Sequence, residues 1–452
     1  ADRIETDISA GVLPAGAKLP PQRDLAYDIG VTIGTVGRAY ALVRERGLVS
    51  GEVGRGTFVR GETAAEAPAP AAMPGAASPR SPAQVSAGRL RMDSTSAPDI
   101  GQSATIQDLV GEISRQHPYE IIDYTRAWPL HWREAGSRWL ATGSWKPEPQ
   151  TVVPALGVHA AVMSVISAVT QPGDKIVFEK LTYTSITRSA NLIGRRSLVV
   201  GSDAEGCDPD DFERLCAQQH PKLAFLMPTL HNPTLAVMAE DRRRAIAEIA
   251  RRHNVLLIED AIYGVLAEQQ PEALVSFAPE RTFHVGGLSK AVSAGVRAGW
   301  VACPANYASR VQTAHKMMTG GIPFLLAELG ARLVLSGHAR AIRAGVREEI
   351  AAREAAARRI FAGHEFSSSP EAPFIWLKLP DPWFSATFRT AALGEGVLVD
   401  DEDEYKPVRT GQTFHRIRVG FTSVQTREDA LRGFGILRRL LDNAGASYDS
   451  FG

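Results

Sequence analysis

Lys290 follows an apolar stretch, Thr282-Phe283-His284-Val285, and opens a run of small residues that ends on Arg297. An amine held at the end of a rigid strand can form a Schiff base with a carbonyl compound if a nearby cation keeps it unprotonated. Arg297, seven residues on, supplies such a cation and can also bind a phosphate. Two further clusters come earlier: His231-Asn232-Pro233-Thr234 after one apolar run, and Glu259-Asp260-Ala261-Ile262-Tyr263-Gly264 after another. Each alone has a bland explanation. A lysine after a strand is usually solvated, Asn-Pro is usually a turn, and an aspartate there is often a helix cap. All three at the C-terminal ends of apolar strands mean more, because ligands of open α/β sheets bind at that edge.

The elements that must position these groups follow from periodicity. Gln171-Pro172-Gly173-Asp174 is a turn that feeds a buried strand at Lys175–Phe178. Lys222–Met227, Val255–Glu259 and Arg281–Val285 read as further strands, separated by helical stretches such as Glu240–His253. This alternation predicts an α/β fold with a mostly parallel sheet. The Arg/Ala/Glu-rich run Ala339–Phe361 predicts a long helix that joins a large domain to a small C-terminal α+β domain near residues 362–452.

In their order and spacing, the three clusters resemble fold-type I pyridoxal-phosphate enzymes of the class I aminotransferase family. The resemblance implies pyridoxal 5'-phosphate as cofactor, with Lys290 as its Schiff-base lysine. Asp260 would pair with the pyridine nitrogen and keep it protonated, so that the ring acts as an electron sink. Asn232 and Tyr263 would hydrogen-bond the ring's phenolic oxygen. Tyr183 matches an aromatic that stacks on the ring; ordinary core packing is its alternative. Gly157-Val158-His159-Ala160 matches the glycine-rich phosphate turn at a helix start, where backbone N–H groups favour an anion. Ser289 and Arg297 would complete the cofactor's surroundings. Arg418, in Arg416-Ile417-Arg418-Val419-Gly420, matches the arginine that holds a substrate α-carboxylate in its fork. Arg416 is the rival, and a surface ion pair is the alternative role. Fold-type I sites are built at a dimer interface, and Tyr124 lies where the family has a tyrosine that reaches the neighbour's phosphate.

The match has departures. Gly287 stands where many relatives carry a phosphate-binding serine, and His159 where glutamine is usual. Leu235 follows Asn-Pro-Thr in place of glycine. Trp128-Pro129-Leu130-His131-Trp132 replaces the glycine-rich text after Tyr124, and a divergent effector pocket is expected there.

Residues 1–60 read differently. Pro20-Pro21-Gln22-Arg23-Asp24 is a helix start, with proline in the first turn and aspartate complementing the dipole. Gly30 ends that helix, and Thr32–Arg46 forms a second with Val36, Ala39, Tyr40 and Val43 on one face. Leu48-Val49-Ser50, a turn at Gly51-Glu52-Val53-Gly54, and Thr57-Phe58-Val59 suggest a hairpin. Together they make a winged helix-turn-helix, and this segment resembles the GntR family of bacterial repressors. The resemblance places Arg23, Thr35, Arg38 on the second helix, and Arg55 in the wing at a double-stranded DNA operator. Seven Lys/Arg against four Asp/Glu between Lys18 and Arg60 give a net charge of +3, a mild basic bias. The chain opens at Ala1 inside what reads as a first helix, part of which is expected to precede it.

Residues 61–90 are rich in Ala, Pro and Ser with no apolar period and read as a linker. Such a chain spans roughly 30 Å on average and at most about 100 Å, enough for the DNA-binding domain to sit over a partner subunit. Residues 91–452 then form the cofactor-binding effector domain. No run of about 18 apolar residues predicts a membrane span. Cys207, Cys216 and Cys303 show no metal spacing, and their odd count fits a reducing cytoplasm, the expected location.

The whole chain thus resembles the MocR-type branch of GntR regulators. The implied function is a pyridoxal-phosphate-dependent transcription regulator, a homodimer whose DNA binding responds to an amine, amino acid or cofactor vitamer. The alternative is an active aminotransferase that carries a DNA-binding domain. A dead, structural cofactor domain is disfavoured because every core group is present.

Overall fold

The computed structural model describes residues 2–14, 16–45, 48–52, 56–59, 89–408 and 411–443. They fall into two compact units, Ala1–Arg80 and Ser81–Gly452. The first unit has helices Asp2–Ser9, Gln22–Asp28 and Ile33–Glu45, followed by an antiparallel hairpin of Val49–Glu52 and Gly56–Val59. Gly30 takes a φ of 68° after the second helix, which no side chain opposes. Thr32 accepts a hydrogen bond from the Thr35 amide at 3.2 Å and so caps the third helix. The expected apolar face of that helix packs inward: Val36, Tyr40 and Val43 are buried with Leu19, Ala26, Val49 and Val59. Tyr40 is also tied to the Pro20 carbonyl at 2.7 Å. The hairpin runs longer than expected. Gly51 and Glu52, read as turn, pair with Thr57 and Gly56.

The second unit is built on a seven-stranded sheet. Its order across the sheet is Val152–Ala155, Gly299–Ala302, Thr282–Gly287, Leu256–Asp260, Leu223–Leu226, Lys175–Glu179 and Arg196–Val200. Every pairing is parallel except the two made by Gly299–Ala302. Continuous apolar runs such as Leu223-Ala224-Phe225-Leu226 are buried throughout, as strands covered on both faces must be. The helices between them carry fitting end charges. Glu240–Arg252 opens on Glu240 and Asp241 and closes on Arg251 and Arg252. The antiparallel strand has no counterpart among the sequence expectations, because it follows the Arg297 loop directly with no crossover helix to announce it.

The helix His338–Ile360 leads to an antiparallel sheet ordered Phe366–Ser367, Phe374–Lys378, Arg416–Gly420, Asp400–Asp401. Arg353 on that helix is buried and donates to the carbonyls of Phe421 and Val424 at 2.8 and 2.9 Å. The small domain is not purely C-terminal. Leu90–Arg91 pairs in parallel with Val397–Leu398, so Leu90, expected in the linker, is already part of the ordered body. The chain then runs past Gly420, whose amide donates to the Met92 carbonyl at 2.8 Å. Trp132, expected near an effector pocket, is instead core. It is buried on the helix Leu130–Leu140 and donates to Glu328 at 2.7 Å, beside His131 at 2.6 Å and Arg332 at 2.7 Å on the same carboxylate.

Gly420 is a glycine because a Cβ there would lie 2.3 Å from the Ser94 carbonyl oxygen. Gly435, on the helix Arg427–Asp442, meets nothing within 4 Å. Gly420→Ala is therefore expected to lower stability by about 1–3 kcal/mol through forced backbone movement. Gly435→Ala should raise it by about 0.5–1 kcal/mol through helix propensity. Urea midpoints of the two variants check both signs.

Candidate functional site

The C-terminal ends of three neighbouring strands deliver the site. Asp260 ends one strand, Lys290 follows the next, and Asn232 follows Leu223–Leu226. Strand alternation sends Glu259 and Asp260 to opposite faces. Glu259 is buried and accepts the Leu274 and Val275 amides and His284 Nδ1, each at 2.9 Å, with Arg243 3.9 Å away. That network anchors the strand from behind. Asp260 on the other face is equally buried, yet among the described residues its hydrogen bond comes from the Ile262 amide alone, at 3.0 Å. Burial pushes its carboxyl up to about 6, against the pull of that amide and of Lys290.

Asp260 and Lys290 face a cavity of about 360 Å³. Asn232, Tyr263, Tyr183, Val158, His159, Ser289, Arg297 and Arg418 line it too, so the structure brings together all but one of the cofactor and effector residues expected from the sequence. Lys290 Nζ donates to Thr95 Oγ1 at 2.9 Å and lies 5.4 Å over the Tyr263 ring. Thr95 shares a second hydrogen bond, 2.7 Å long, with the Tyr263 hydroxyl. The half-exposed Tyr183 stands edge-on to His159, with ring centres 6.4 Å apart. Burial, then Arg297, lowers the His159 pKa and favours its neutral ring.

In the cavity wall the helix Gly157–Val169 begins, and its first amides are free to receive an anion. Two glycines make this turn possible. Gly157 holds a φ of 80° with Arg297 beside it, and a Cβ on Gly299 would sit 2.7 Å from the Gly157 carbonyl carbon. Arg297 itself takes a φ of 53° and donates to the Leu156 carbonyl at 3.2 Å. One departure from the family text finds its reason here, and another keeps a backbone suited to glycine. A side chain at Gly287 would meet the Ala298 carbonyl oxygen at 2.7 Å, so a serine there has no room. Leu235 holds a φ of 67°, a conformation that glycine adopts without strain.

Arg418, also in the cavity wall, is buried, and it separates clearly from its rival. It donates to Asn232 Oδ1 at 3.0 Å, to the Asp93 carbonyl at 2.9 Å and to Asp400 Oδ2 at 2.6 Å. Arg416 turns to Glu365 and the Trp376 carbonyl and does not line the cavity. Burial works against the Arg418 charge, but the surrounding Tyr405, Tyr263 and Asp400 oxygens hold its pKa above the ordinary arginine value.

Tyr124 is the expected residue that stays outside. It is 84% exposed and borders a separate depression with Ile121, Thr125, Ile322 and Pro323. Arg91, Asp93, Thr95 and Asp400 are site residues that the sequence reading missed. Thr95 lies 195 positions from Lys290, in a stretch without any motif. In the first unit, Thr35 and Arg38 are exposed on the third helix. Arg55 and the side chain of Arg23 lie outside the described residues. No helix among the described residues is long and apolar enough to cross a membrane.

The arrangement can hold a flat, anionic, carbonyl-bearing molecule: an amine for the carbonyl, a buried carboxyl for a ring cation, and a helix start with Arg297 for a phosphate. Comparisons with known proteins bear on family and fold. Residues 1–59 match the bacterial regulatory proteins of the gntR family. Over 98% of its length the chain is 29% identical to the uncharacterized HTH-type transcriptional regulator YdeF of Bacillus subtilis (strain 168), covering 94% of that protein. Over 67% of its length it is 26% identical to the vitamin B6 salvage pathway transcriptional repressor PtsJ of Salmonella typhimurium, covering 66% of it. Among solved structures, LysN, an alpha-aminoadipate aminotransferase from Thermus thermophilus, superimposes with a TM-score of 0.71 at 20% identity, over 80% of this chain and 94% of that one. An archaeal alanine:glyoxylate aminotransferase gives 0.70 at 21%, over 78% and 91%. Residues 132–394, more than half of the chain, match aminotransferase class I and II, and the protein belongs to that family, with a gntR-family segment joined ahead of it as in the MocR-type branch.

Proposed function

We propose that this protein is a transcription regulator that binds DNA through its first unit and senses a small molecule through a pyridoxal-phosphate site in its second. The observation that carries this reading is the union, in one chain, of a helix-turn-helix with hairpin and a cavity in which Lys290, Asp260 and Asn232 converge. Relatives named as HTH-type regulators, one of them a repressor of vitamin B6 salvage, support it. An aminotransferase with a DNA-binding unit is the second reading, favoured by the same three residues. A panel of amino-acid and keto-acid pairs, run beside a DNA-probe shift, separates the two. Probe shifts without turnover fit the regulator, and turnover without a shift refutes it.

The residues present fit the cofactor. When bound, pyridoxal phosphate supplies an electrophilic carbon and an electron-withdrawing ring. Lys290 would be the covalent attachment point, its amine held by Thr95. Asp260 would keep a proton on the ring nitrogen, and that cation would relieve a carboxylate otherwise buried without a full partner. Asn232 would turn its amide nitrogen to the ring, since Arg418 already takes its oxygen. The amides that start Gly157–Val169, with Arg297, would hold the phosphate. Tyr124 would serve a homodimer. Its exposure, with Ile122 at 82% and Met317 at 72%, supports a subunit contact on that side of the unit.

Asp260 allows a test whose sign depends on pH. Its folded-state pKa is raised, so its contribution to stability is fully present below the unfolded value near 4 and is lost as pH rises through about 6. At pH 7.5 the cofactor-free protein carries a penalty of roughly 2–3 kcal/mol. Asp260→Asn should remove it and raise the unfolding midpoint at pH 7.5, with little change near pH 4. The same substitution should weaken cofactor binding about ten- to hundredfold. Thermal scans at both pH values and a cofactor titration measure the two effects, and an unstabilised variant with unchanged affinity would reduce Asp260 to a turn residue.

On the DNA side, a dimer should require two half-sites spaced by whole helical turns, near 10 base pairs or a multiple. Arg38→Ala should weaken binding and, if Arg38 meets a phosphate, lower the salt slope by about one unit. Equal affinity for one half-site and for the pair would contradict the dimeric arrangement.

A further inference from the structure

The guanidinium of Arg418 is a buried cation in the cavity wall, and both its terminal nitrogens are already occupied. Asp400 Oδ2 accepts from it at 2.6 Å. The same oxygen accepts from the Tyr405 hydroxyl, also at 2.6 Å, so the carboxylate is held from two sides. Backbone register fixes this contact. Asp400 stands directly opposite Arg418 in the pairing of Asp400–Asp401 with Arg416–Gly420, where cross-strand side chains lie within reach of one another. Tyr405 is itself buried, packed edge-on against Trp376 with ring centres 5.9 Å apart, and the Arg418 guanidinium lies 5.2 Å over its ring. Close by, Asp93 is paired with Arg91 at 3.2 Å. Two carboxylates therefore balance two guanidiniums in this part of the cavity wall, with no surplus positive charge for an arriving anion.

A ligand carboxylate has two ways to reach Arg418. It can displace Asp400, which strands a largely buried carboxylate without its cation, or it can share the cation, which sets two like charges side by side. Both are costly. A ligand that carries an amine and no carboxylate meets neither obstacle. The one guanidinium nitrogen still without a partner, the buried Nε of Arg418, can be served by a neutral oxygen. The expectation that Arg418 grips an effector carboxylate thus meets a carboxylate supplied by the protein.

We propose that Asp400 closes the carboxylate subsite from within, and that the cavity selects primary amines lacking an α-carboxylate over the corresponding amino acids. This rests on the reading of the cavity as the effector site. It adds a specificity-determining residue that acts by exclusion, as discrimination between similar ligands often requires.

Calorimetry on the full chain with pyridoxal phosphate, using L-leucine and 3-methylbutylamine, tests it, because the two probes differ only by the carboxylate. The amine should bind at least about tenfold more tightly. Asp400→Asn keeps an oxygen for Arg418 but removes the charge, and it should move the ratio at least about tenfold toward the amino acid. Tyr405→Phe, which withdraws one of the two groups holding Asp400, should move it the same way by less, and it serves if Asp400→Asn fails to fold. An amino acid that binds wild type as well as the amine does, a ratio unmoved in the variants, or no heat from the amine would each overturn the proposal. The visible absorbance of the same samples reports the cofactor separately, so a coloured protein that prefers leucine refutes this inference alone.

Discussion

Asp260 ends a central strand with its carboxylate buried and one backbone amide as its hydrogen-bond donor, and the rest of the site is arranged around that unmet charge. A carboxylate in such surroundings takes up a proton or waits for a cation, and burial raises its pKa to about 6. It is tolerable because the strand is pinned from behind. Glu259, one residue earlier, has a full set of donors from Leu274, Val275 and His284. The sheet can therefore place an underserved carboxylate on one face because it has fully satisfied the other. Lys290, one strand over, bonds to Thr95, and Asn232 presents its oxygen to Arg418. In the proposed reading, the cavity between them takes a ligand that brings its own positive ring.

Two parts of the cavity wall work by opposite means. Near Gly157 the protein offers positive character, a helix start and an Arg297 with no ion pair among the described residues, brought close because Gly299 and Gly287 leave no side chains in the way. At Arg418 a positive charge is present and already neutralised by Asp400. An anion is welcome at the first and has a competitor at the second. In fold the unit is that of an aminotransferase; this difference in electrostatics bears on what it recognises. In the N-terminal unit, a compact core of Val36, Tyr40, Val43 and their neighbours leaves Thr35 and Arg38 on the outer surface of the third helix.

Much of this was legible in the sequence, for a physical reason. Asp260 ends an apolar run, and Lys290 and Asn232 follow one within a few residues, so the strand and the group it delivers are read together. The third helix of the first unit carries its apolar face at regular spacing. Residues recruited across the chain left no such trace. Thr95 meets Lys290 from 195 positions away, and Asp93 enters through a segment that only the Gly420 gap lets pass. Asp400 is one acid among several in Asp400-Asp401-Glu402-Asp403-Glu404, and only the strand register singles it out. The tryptophan-rich text at Trp128–Trp132 misled for a related reason. An indole that donates to a buried carboxylate in the core looks, in sequence, like one that lines a pocket.

Borohydride reduction of the protein incubated with pyridoxal phosphate, followed by peptide mass analysis, tests the central claim most directly. One pyridoxyl adduct is expected, on the peptide that holds Lys290, and it should be absent from Lys290→Ala. An unmodified Lys290 peptide, or an adduct spread over exposed lysines such as Lys378, would contradict the account.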